Sequence, residues 1–351
     1  MILTQWQQYL TDNGAEFTDK KLVSFGNLED ELHIIKTTSV ISDLSNTSEI
    51  IRVSGTDSAN FLQNILSNDI HQLDHLHSQL SAHCAPNGRI QSLFRILCHD
   101  KDYFLIVPSA IAEGTLKRLQ MFVLMSQVKL DLISQQWISI GLSGPHSEDE
   151  LHQALPDCVL PETPDEVQHP HKQLIITRLH GVHPRFLLTG SPESIQSLWE
   201  RLDVHAAPIG EDAWALSDIL AAVPTLDAQI SDKFIPQMLN LQALNGLSFK
   251  KGCYPGQEVV ARMHYLGKLK RHMRLISFQM TELPEPGTSL FSPNTTSGQG
   301  AGHLVNVRPA GNGQINALAV IDNNTVEHGD IRVGSDNGPV VSIQNLPYSL
   351  E

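Results

Sequence analysis

Hydrophobic and polar positions alternate along this chain in short stretches whose period keeps changing. Ile50 to Gly55 alternates as a strand does, and Asp57 to Ser67 then places Phe61, Leu62, Ile65 and Leu66 on one helical face. Gln79 to Pro86 and Arg89 to His99 flank Asn87-Gly88, a two-residue hairpin signal. A short apolar strand at Tyr103 to Pro108, a Leu- and Met-rich helix at Ala110 to Ser126 and a strand at Val128 to Ile133 follow. The order then recurs with a strand at Trp137 to Leu142, a helix at Glu148 to Leu155, strands at Gln173 to His180 and Arg185 to Thr189, and a helix from Pro192 to Leu202. Such a recurrence predicts two α+β units of ferredoxin-like pattern. The acidic, proline-rich run Pro156 to Pro170 reads as a surface loop within the second unit.

After Met273 the character changes. Leu275 to Phe278, Ala301 to Val307, Ile315 to Ile321 and Val340 to Ile343 are short alternating segments punctuated by Gly and Pro, with no helical period. A small antiparallel barrel or sandwich is the expected outcome. The first 30 or so residues carry a helical, Gln- and Trp-containing start that the pattern does not attach to either unit.

Composition narrows the class. With 351 residues, 41% hydrophobic and 18% charged, the chain is long enough for two or three domains with a substantial core. Cys84, Cys98, Cys158 and Cys253 include no Cys-x-x-Cys pair and no Cys/His cluster at zinc-finger spacing, so neither a disulfide framework nor a metal site is expected. The polar start from Met1 to Leu10 lacks the pattern of a signal peptide, and no apolar run approaches the ~20 residues of a membrane span. A cytoplasmic, reduced protein with no membrane partner is expected.

Net charge is −14, which argues against indiscriminate binding to nucleic acid. Between Ser248 and Arg274, however, seven basic residues face Glu258 alone, a local +6. Such an island is either a solvated surface or a site for an anionic ligand or partner. Between Arg262 and Arg274 only Tyr265 is an aromatic able to stack on unpaired bases.

That island opens with Lys250-Lys251-Gly252-Cys253-Tyr254-Pro255-Gly256-Gln257-Glu258. Gly252 and Gly256 allow tight turning or close approach of a ligand, and Pro255 stiffens the segment. Cationic Lys250 and Lys251 favour the thiolate of Cys253, the reactive form. The alternative is a small buried cysteine beside solvated lysines. Gln257 and Glu258 are a carboxamide and carboxylate close to Cys253, although Glu258 is also spaced to pair with Arg262, a contact worth a few tenths of a kcal/mol. His83 and His264 lack a partner at metal-site spacing, and no phosphate loop is present.

Lys251-Gly252-Cys253-Tyr254-x-Gly256-Gln257-Glu258, with Ala261-Arg262 after it, resembles the signature of the YgfZ family, folate-binding relatives of the glycine-cleavage T-protein. Phe234-Ile235-Pro236-Gln237, Asn240 to Leu244, Gly246 to Lys250, Ala82-His83-Cys84 and the terminal Leu346 to Leu350 resemble the bacterial members. The resemblance runs from about residue 45 to the end. It implies a GcvT-like α+β fold of two interleaved ferredoxin-like subdomains plus a C-terminal antiparallel β-barrel. The corresponding boundaries are an extension at 1–30, a folate-binding-like region at 31–270 and a barrel at 271–351. Within the middle region the subdomains fall at about 31–134 and 135–210, completed by 211–270.

The resemblance further implies a protein that binds tetrahydrofolate or a derivative and supports iron–sulfur enzymes, notably the one that thiomethylates tRNA, with a possible tRNA contact of its own. It implies that Cys253 is the reactive thiol with Lys251 beside it, and that Trp214, Gln257, Glu258 and Arg262 contribute to cofactor binding. An indole suits packing against a pterin, although Trp214 reads equally as a core aromatic. A second family tryptophan corresponds to Ser48, and the family's Glu-Ala-Gly step reads Leu220-Ala221-Ala222. T-proteins begin the second hairpin strand with Gly-x-x-Asp-Asp, whose carboxylate serves aminomethyl transfer. This chain has Gly88-Arg89-Ile90-Gln91-Ser92, so the aminomethyltransferase reaction is not expected. A one-carbon transferase using a different acid, and a tRNA-binding module, are the alternatives.

Overall fold

A computed structural model describes residues 2–295 and 300–350. The class is α+β, with two long mixed regions and a C-terminal half-barrel, as the recurring pattern predicts. By compactness the chain divides into two units, a coarser division than the sequence boundaries. One takes the chain up to Ser58 with Leu73–Gln79 and Arg95–Ser217, the other Ala59–Gln72, Leu80–Phe94 and the chain from Asp218 onward.

In the first unit the chain runs α1 (Ile2–Asp12), β1 (Glu16–Thr18), β2 (Lys21–Ser24), α2 (Leu28–Ile34), β3 (Val40–Asp43) and β4 (Ser48–Ser54). After α3 (Ser58–Ile65), which belongs to the second unit from Ala59 on, come the hairpin strands β5 (Ser78–Cys84) and β6 (Ile90–His99), which the unit division cuts, then β7 (Asp102–Pro108), α4 (Ser109–Gln120) and β8 (Lys129–Leu132). The recurrence supplies β9 (Ile138–Ser143), α5 (Ser147–Ala154), β10 (Val167–His171), β11 (Leu174–Leu179), β12 (Arg185–Gly190), α6 (Pro192–Leu202), β13 (Ala207–Pro208) and α7 (Glu211–Leu220). One sheet has the order β5-β6-β7-β4-β8. A six-stranded sheet runs β10-β11-β12-β9-β3-β13, antiparallel except where β13 joins β3.

Alternation on the six-stranded sheet assigns its two faces. Ile41, Ile140, Leu142, Ile176 and Leu188 point into an apolar core with Leu198 and Trp199 of α6. The N-terminal helix docks into that same core. Trp6 meets Trp199 edge-on at 5.6 Å between ring centroids, and its indole N–H donates to Asp43 at 3.0 Å. The sequence pattern could not place this helix because the core it joins is built from residues far along the chain, such as Ile41 and Trp199, yet Trp6 and Leu10 are both buried there.

Three expectations change. The helix after β7 ends at Gln120 instead of Ser126, leaving Met121, Leu124 and Met125 exposed. An apolar run with no surface to cover has nothing to hold a further helical turn. The Pro156 to Pro170 loop gives up its end to β10, an edge strand where Pro170 costs no central ladder bond.

In the second unit, α8 (Gln257–Leu266) precedes β14 (Arg271–Gln279), β15 (Ser289–Phe291), β16 (Gly302–Pro309), β17 (Gln314–Asp322), α9 (Asn323–His328), β18 (Arg332–Val333) and β19 (Ser342–Gln344). These strands form one antiparallel sheet in the order β18-β15-β16-β17-β14-β19 around a core that includes Ile276, Leu304, Ala319 and Ile321. The third correction is α9, capped by the Asp322 carboxylate but too short to register as a helical period. Among the described residues no helix is long and apolar enough to cross a membrane.

Candidate functional site

Two neighbourhoods hold the residues singled out by sequence, one in each unit. In the second unit the β5–β6 turn sets the geometry. Gly88 has φ +76° and donates its N–H to the Ala85 carbonyl at 2.9 Å, while the Asn87 side chain accepts from Arg89 N–H at 3.1 Å. Gly256, at φ +81°, heads α8 and lies directly against this turn. A Cβ at Gly256 would stand 2.4 Å from the Ala85 oxygen and 2.7 Å from Gly88 Cα. Val259, in the first turn of α8, packs against Gly88 as well, and a Cβ at Gly88 would stand 2.9 Å from the Val259 Cβ. Only glycine fits at position 256, because the site requires both a left-handed backbone and close approach of main chain. Gly252 differs: its φ is not in the left-handed region and a Cβ there meets nothing within 4 Å. It leaves open space beside Cys253 instead of making a tight turn.

The side chains of the motif part company. Lys251 is buried and turns inward, donating its ammonium to the carbonyls of Leu66 and Asn68 and lying 5.2 Å from the centroid of the Tyr254 ring. Burial pushes its pKa down to about 8 against the pull of Asp69. Tyr254 is buried too, with its phenol pushed up by burial and by Cys84 nearby. Cys253, between these two anchors, is exposed. The other three thiols are buried or half-buried, and burial together with Asp232 pushes Cys84 up to about 12. Gln257 reaches back to the Lys251 carbonyl at 3.4 Å. Glu258 and Arg262 are both exposed, and among the described residues they form no ion pair with each other. Of the seven basic residues in the positive island, Lys250, Arg262, Lys268 and Lys270 are exposed. Arg271 donates to the Gly300 carbonyl and faces Asp322, and the half-buried Arg274 reaches Asn323.

One residue here escaped the sequence reading. Asp232, at φ +60°, brings a carboxylate to the strand that lacks one: Gln91 donates its amide to Asp232 Oδ2 at 3.3 Å. Arg89 fixes the same segment by donating to the carbonyls of Asp232 and Lys233 at 3.2 and 2.6 Å. No local spacing announces an acid that arrives from 141 positions away.

In the first unit, α7 lays Trp214 on the second face of the six-stranded sheet. Thr177, Leu187, Gly141 and Ser42 pair in register across four strands and share that face. The benzo ring of Trp214 rests on Gly141, where a Cβ would come within 2.3 Å, and the Arg185 guanidinium lies 5.0 Å from the indole centroid. Trp214 is 5% exposed. On the same face the hydroxyls of Ser42, paired with Gly141, and of Thr177, two strands from Gly141, are fully buried and have no hydrogen-bond partner among the described residues. Each such hydroxyl costs about 1–3 kcal/mol that a polar ligand atom would recover. A flat heteroaromatic carrying donors and acceptors matches this donor set, provided Arg185 moves off the ring. Leu220, which the unit division assigns to the second unit, carries no acceptor, and Ser48, half-buried on β4, carries no ring. Acids cluster where α7 begins: burial raises Glu211 to about 7, with Asp43 adding to the shift and the Leu22 N–H opposing it.

No three His, Cys, Asp or Glu side chains among the described residues are grouped to hold a metal ion. The GCVT N-terminal domain family matches residues 6–164. The tRNA-modifying protein YgfZ of Colwellia psychrerythraea is 32% identical over 306 residues, covering 86% of this chain and 90% of the relative. Its counterpart in Pectobacterium carotovorum is 32% identical over 301 residues, covering 84% and 88%. Among solved structures, aminomethyltransferase T of the glycine cleavage system from Bartonella henselae aligns with a TM-score of 0.71 over 97% of this chain and 96% of its own length. At 15% identity that likeness concerns the fold alone.

Proposed function

The chain belongs to the YgfZ family, and on that premise we propose that it is a folate-binding accessory protein of tRNA modification whose working group is the Cys253 thiol. One observation carries this reading: of four cysteines only Cys253 is exposed, on a loop braced by Gly256 against the Gly88 turn and pinned by buried Lys251 and Tyr254. A loop fixed on both sides of an exposed thiol supports a positioned nucleophile or sulfur ligand more than a packing cysteine. Lys251 acts here through the main chain of residues 66 and 68, as a positioning residue.

The client reaction is tRNA thiomethylation by an iron–sulfur enzyme, served by an accessory protein working in the cytoplasm. A conventional cluster takes four protein ligands. Cys253 therefore engages a cluster or sulfur species transiently or together with a partner's thiols. Bound tetrahydrofolate would supply one-carbon or electron-rich pterin chemistry. Trp214 would flank the pterin and Ser42 and Thr177 would meet its polar edge, while Gln257, Glu258 and Arg262 line the motif itself. Titrating tetrahydrofolate into the purified chain tests the folate part. Tryptophan fluorescence should change saturably, and the change should be lost or much weakened in Trp214→Phe. An unchanged titration in that variant would remove Trp214 from the site.

Asp232 favours a second reading. A carboxylate held by Gln91 on the β5–β6 hairpin supports a folate-dependent one-carbon transferase that draws its acid from another segment. It requires turnover of a methylene- or methyl-tetrahydrofolate, lost in Asp232→Asn. Absence of turnover with every folate derivative removes this alternative.

A further inference from the structure

The end of α8 gathers more than the positive charge visible in sequence. Phe249, eight residues before that helix, stacks on His264 with ring centroids 3.7 Å apart and planes 13° from parallel. Tyr265 stands edge-on to both, 4.7 Å from His264 and 6.2 Å from Phe249. His264 is exposed and Tyr265 is 65% exposed, so the group is an aromatic platform open to solvent. Lys250 adjoins Phe249, Arg262 lies one turn before Leu266 on α8, and Lys268 and Lys270 follow the helix. All four are exposed, and among the described residues none takes part in an ion pair.

We infer that this platform docks an unpaired segment of RNA. Four unneutralised cations on a chain of net charge −14 would attract any polyanion. The stacked, solvent-open rings select among polyanions, because every nucleotide brings a flat face with its charge and an Asp or Glu side chain brings none. A double helix hides its bases within the stack, which leaves loops, bulges and single-stranded ends as the matching partner. The choice of RNA over DNA rests on the tRNA-directed reading above. Between Arg262 and Arg274 the sequence offers only Tyr265 as a stacking aromatic, and folding adds the Phe249 ring by bringing residue 249 onto residue 264.

The test is a filter-binding titration of the full chain against a labelled unmodified tRNA transcript and a labelled oligouridylate. The inference expects binding of both, with log affinity falling against log salt at a slope of about −3, four phosphate contacts at roughly −0.7 each. Tyr265→Ala should weaken both by roughly 5- to 100-fold, the loss of one base stack, and Tyr265→Phe should restore most of the affinity. Lys268→Glu with Lys270→Glu should flatten the slope to about −1.5, whereas Lys20→Glu with Lys36→Glu, on exposed residues elsewhere, should leave it unchanged. Undiminished binding by Tyr265→Ala would overturn the inference, as would equal flattening by both double variants. Competition by polyglutamate as effective as by oligouridylate would make the surface a site for an acidic protein and equally end it. Failure here is separable from failure of the cysteine reading. RNA binding that persists in a chain whose Cys253→Ala variant is fully functional ends that reading alone, and loss of function in Cys253→Ala with no RNA binding ends only this inference.

Discussion

The Cys253 loop and the Trp214 face are built by opposite means. Around Cys253, backbone does the positioning: Gly256 meets Gly88 main chain to main chain, Lys251 reaches two carbonyls, and the thiol is left exposed. Around Trp214, burial does the positioning: Gly141 makes room for the indole, Arg185 lies over it, and two hydroxyls are buried without partners among the described residues. The first arrangement presents a thiol to solvent. The second keeps its indole and hydroxyls buried, with the Arg185 guanidinium over the ring. On the proposed reading, reactivity tests the thiol and a change on adding folate tests the Trp214 face.

The largest expected effect sharpens that contrast. Gly256→Val combines a disfavoured left-handed backbone with overlap against the Ala85 carbonyl, about 3–5 kcal/mol together. Denaturant unfolding should show this loss, and alkylation of Cys253 should lose its single well-defined rate. Gly141→Val, which drives a side chain into the Trp214 ring, should cost about 1–3 kcal/mol. It should alter tryptophan fluorescence while leaving Cys253 alkylation at the parent rate; a changed rate would mean the two neighbourhoods are not independent.

Smaller effects separate the neighbourhoods by pH. Glu211 titrates at about 7 in the folded chain against 4.5 unfolded, so the folded state holds the extra proton between those values. Its contribution is complete below about pH 4.5 and disappears as pH rises through 7. Glu211→Gln should flatten the stability profile across that window. Lys251 runs the other way, at about 8 folded against 10.5 unfolded, so the unfolded chain holds the extra proton. Stability attributable to Lys251 therefore rises between about pH 8 and 10.5. Cys84, raised to about 12 from 9.0, opposes this because its thiol stays protonated when folded. The difference between the parent and Lys251→Met isolates the lysine: the parent should gain on the variant with rising pH, and a constant difference would show that the ammonium is not desolvated by folding.

The comparison also explains what could be read from sequence. Gly256, Pro255, the lysine pair and Cys253 are conformationally or chemically special residues in one short run, and the Asn87-Gly88 turn carries its own signal, so the motif and the hairpin were legible. The direction of Lys251 was not, because its partners Leu66 and Asn68 lie far along the chain and offer only main-chain oxygens. Asp232 was missed for the same reason. Trp214 remained ambiguous because a tryptophan over a glycine in a sheet has the same spacing in a core as in a ligand site. The strand and helix order was visible in the periodicity, whereas the stop of α4 at Gln120 depended on the absence of a covering surface, which no local pattern encodes.

The most direct test concerns the exposed thiol. Cys253→Ala removes a solvent-facing sulfur and should leave stability within about 0.5 kcal/mol of the parent. Expressed in a strain lacking its own YgfZ protein, the folded variant should fail to restore thiomethylated tRNA where the parent restores it. Full restoration by Cys253→Ala would contradict the assignment of Cys253 as the working group.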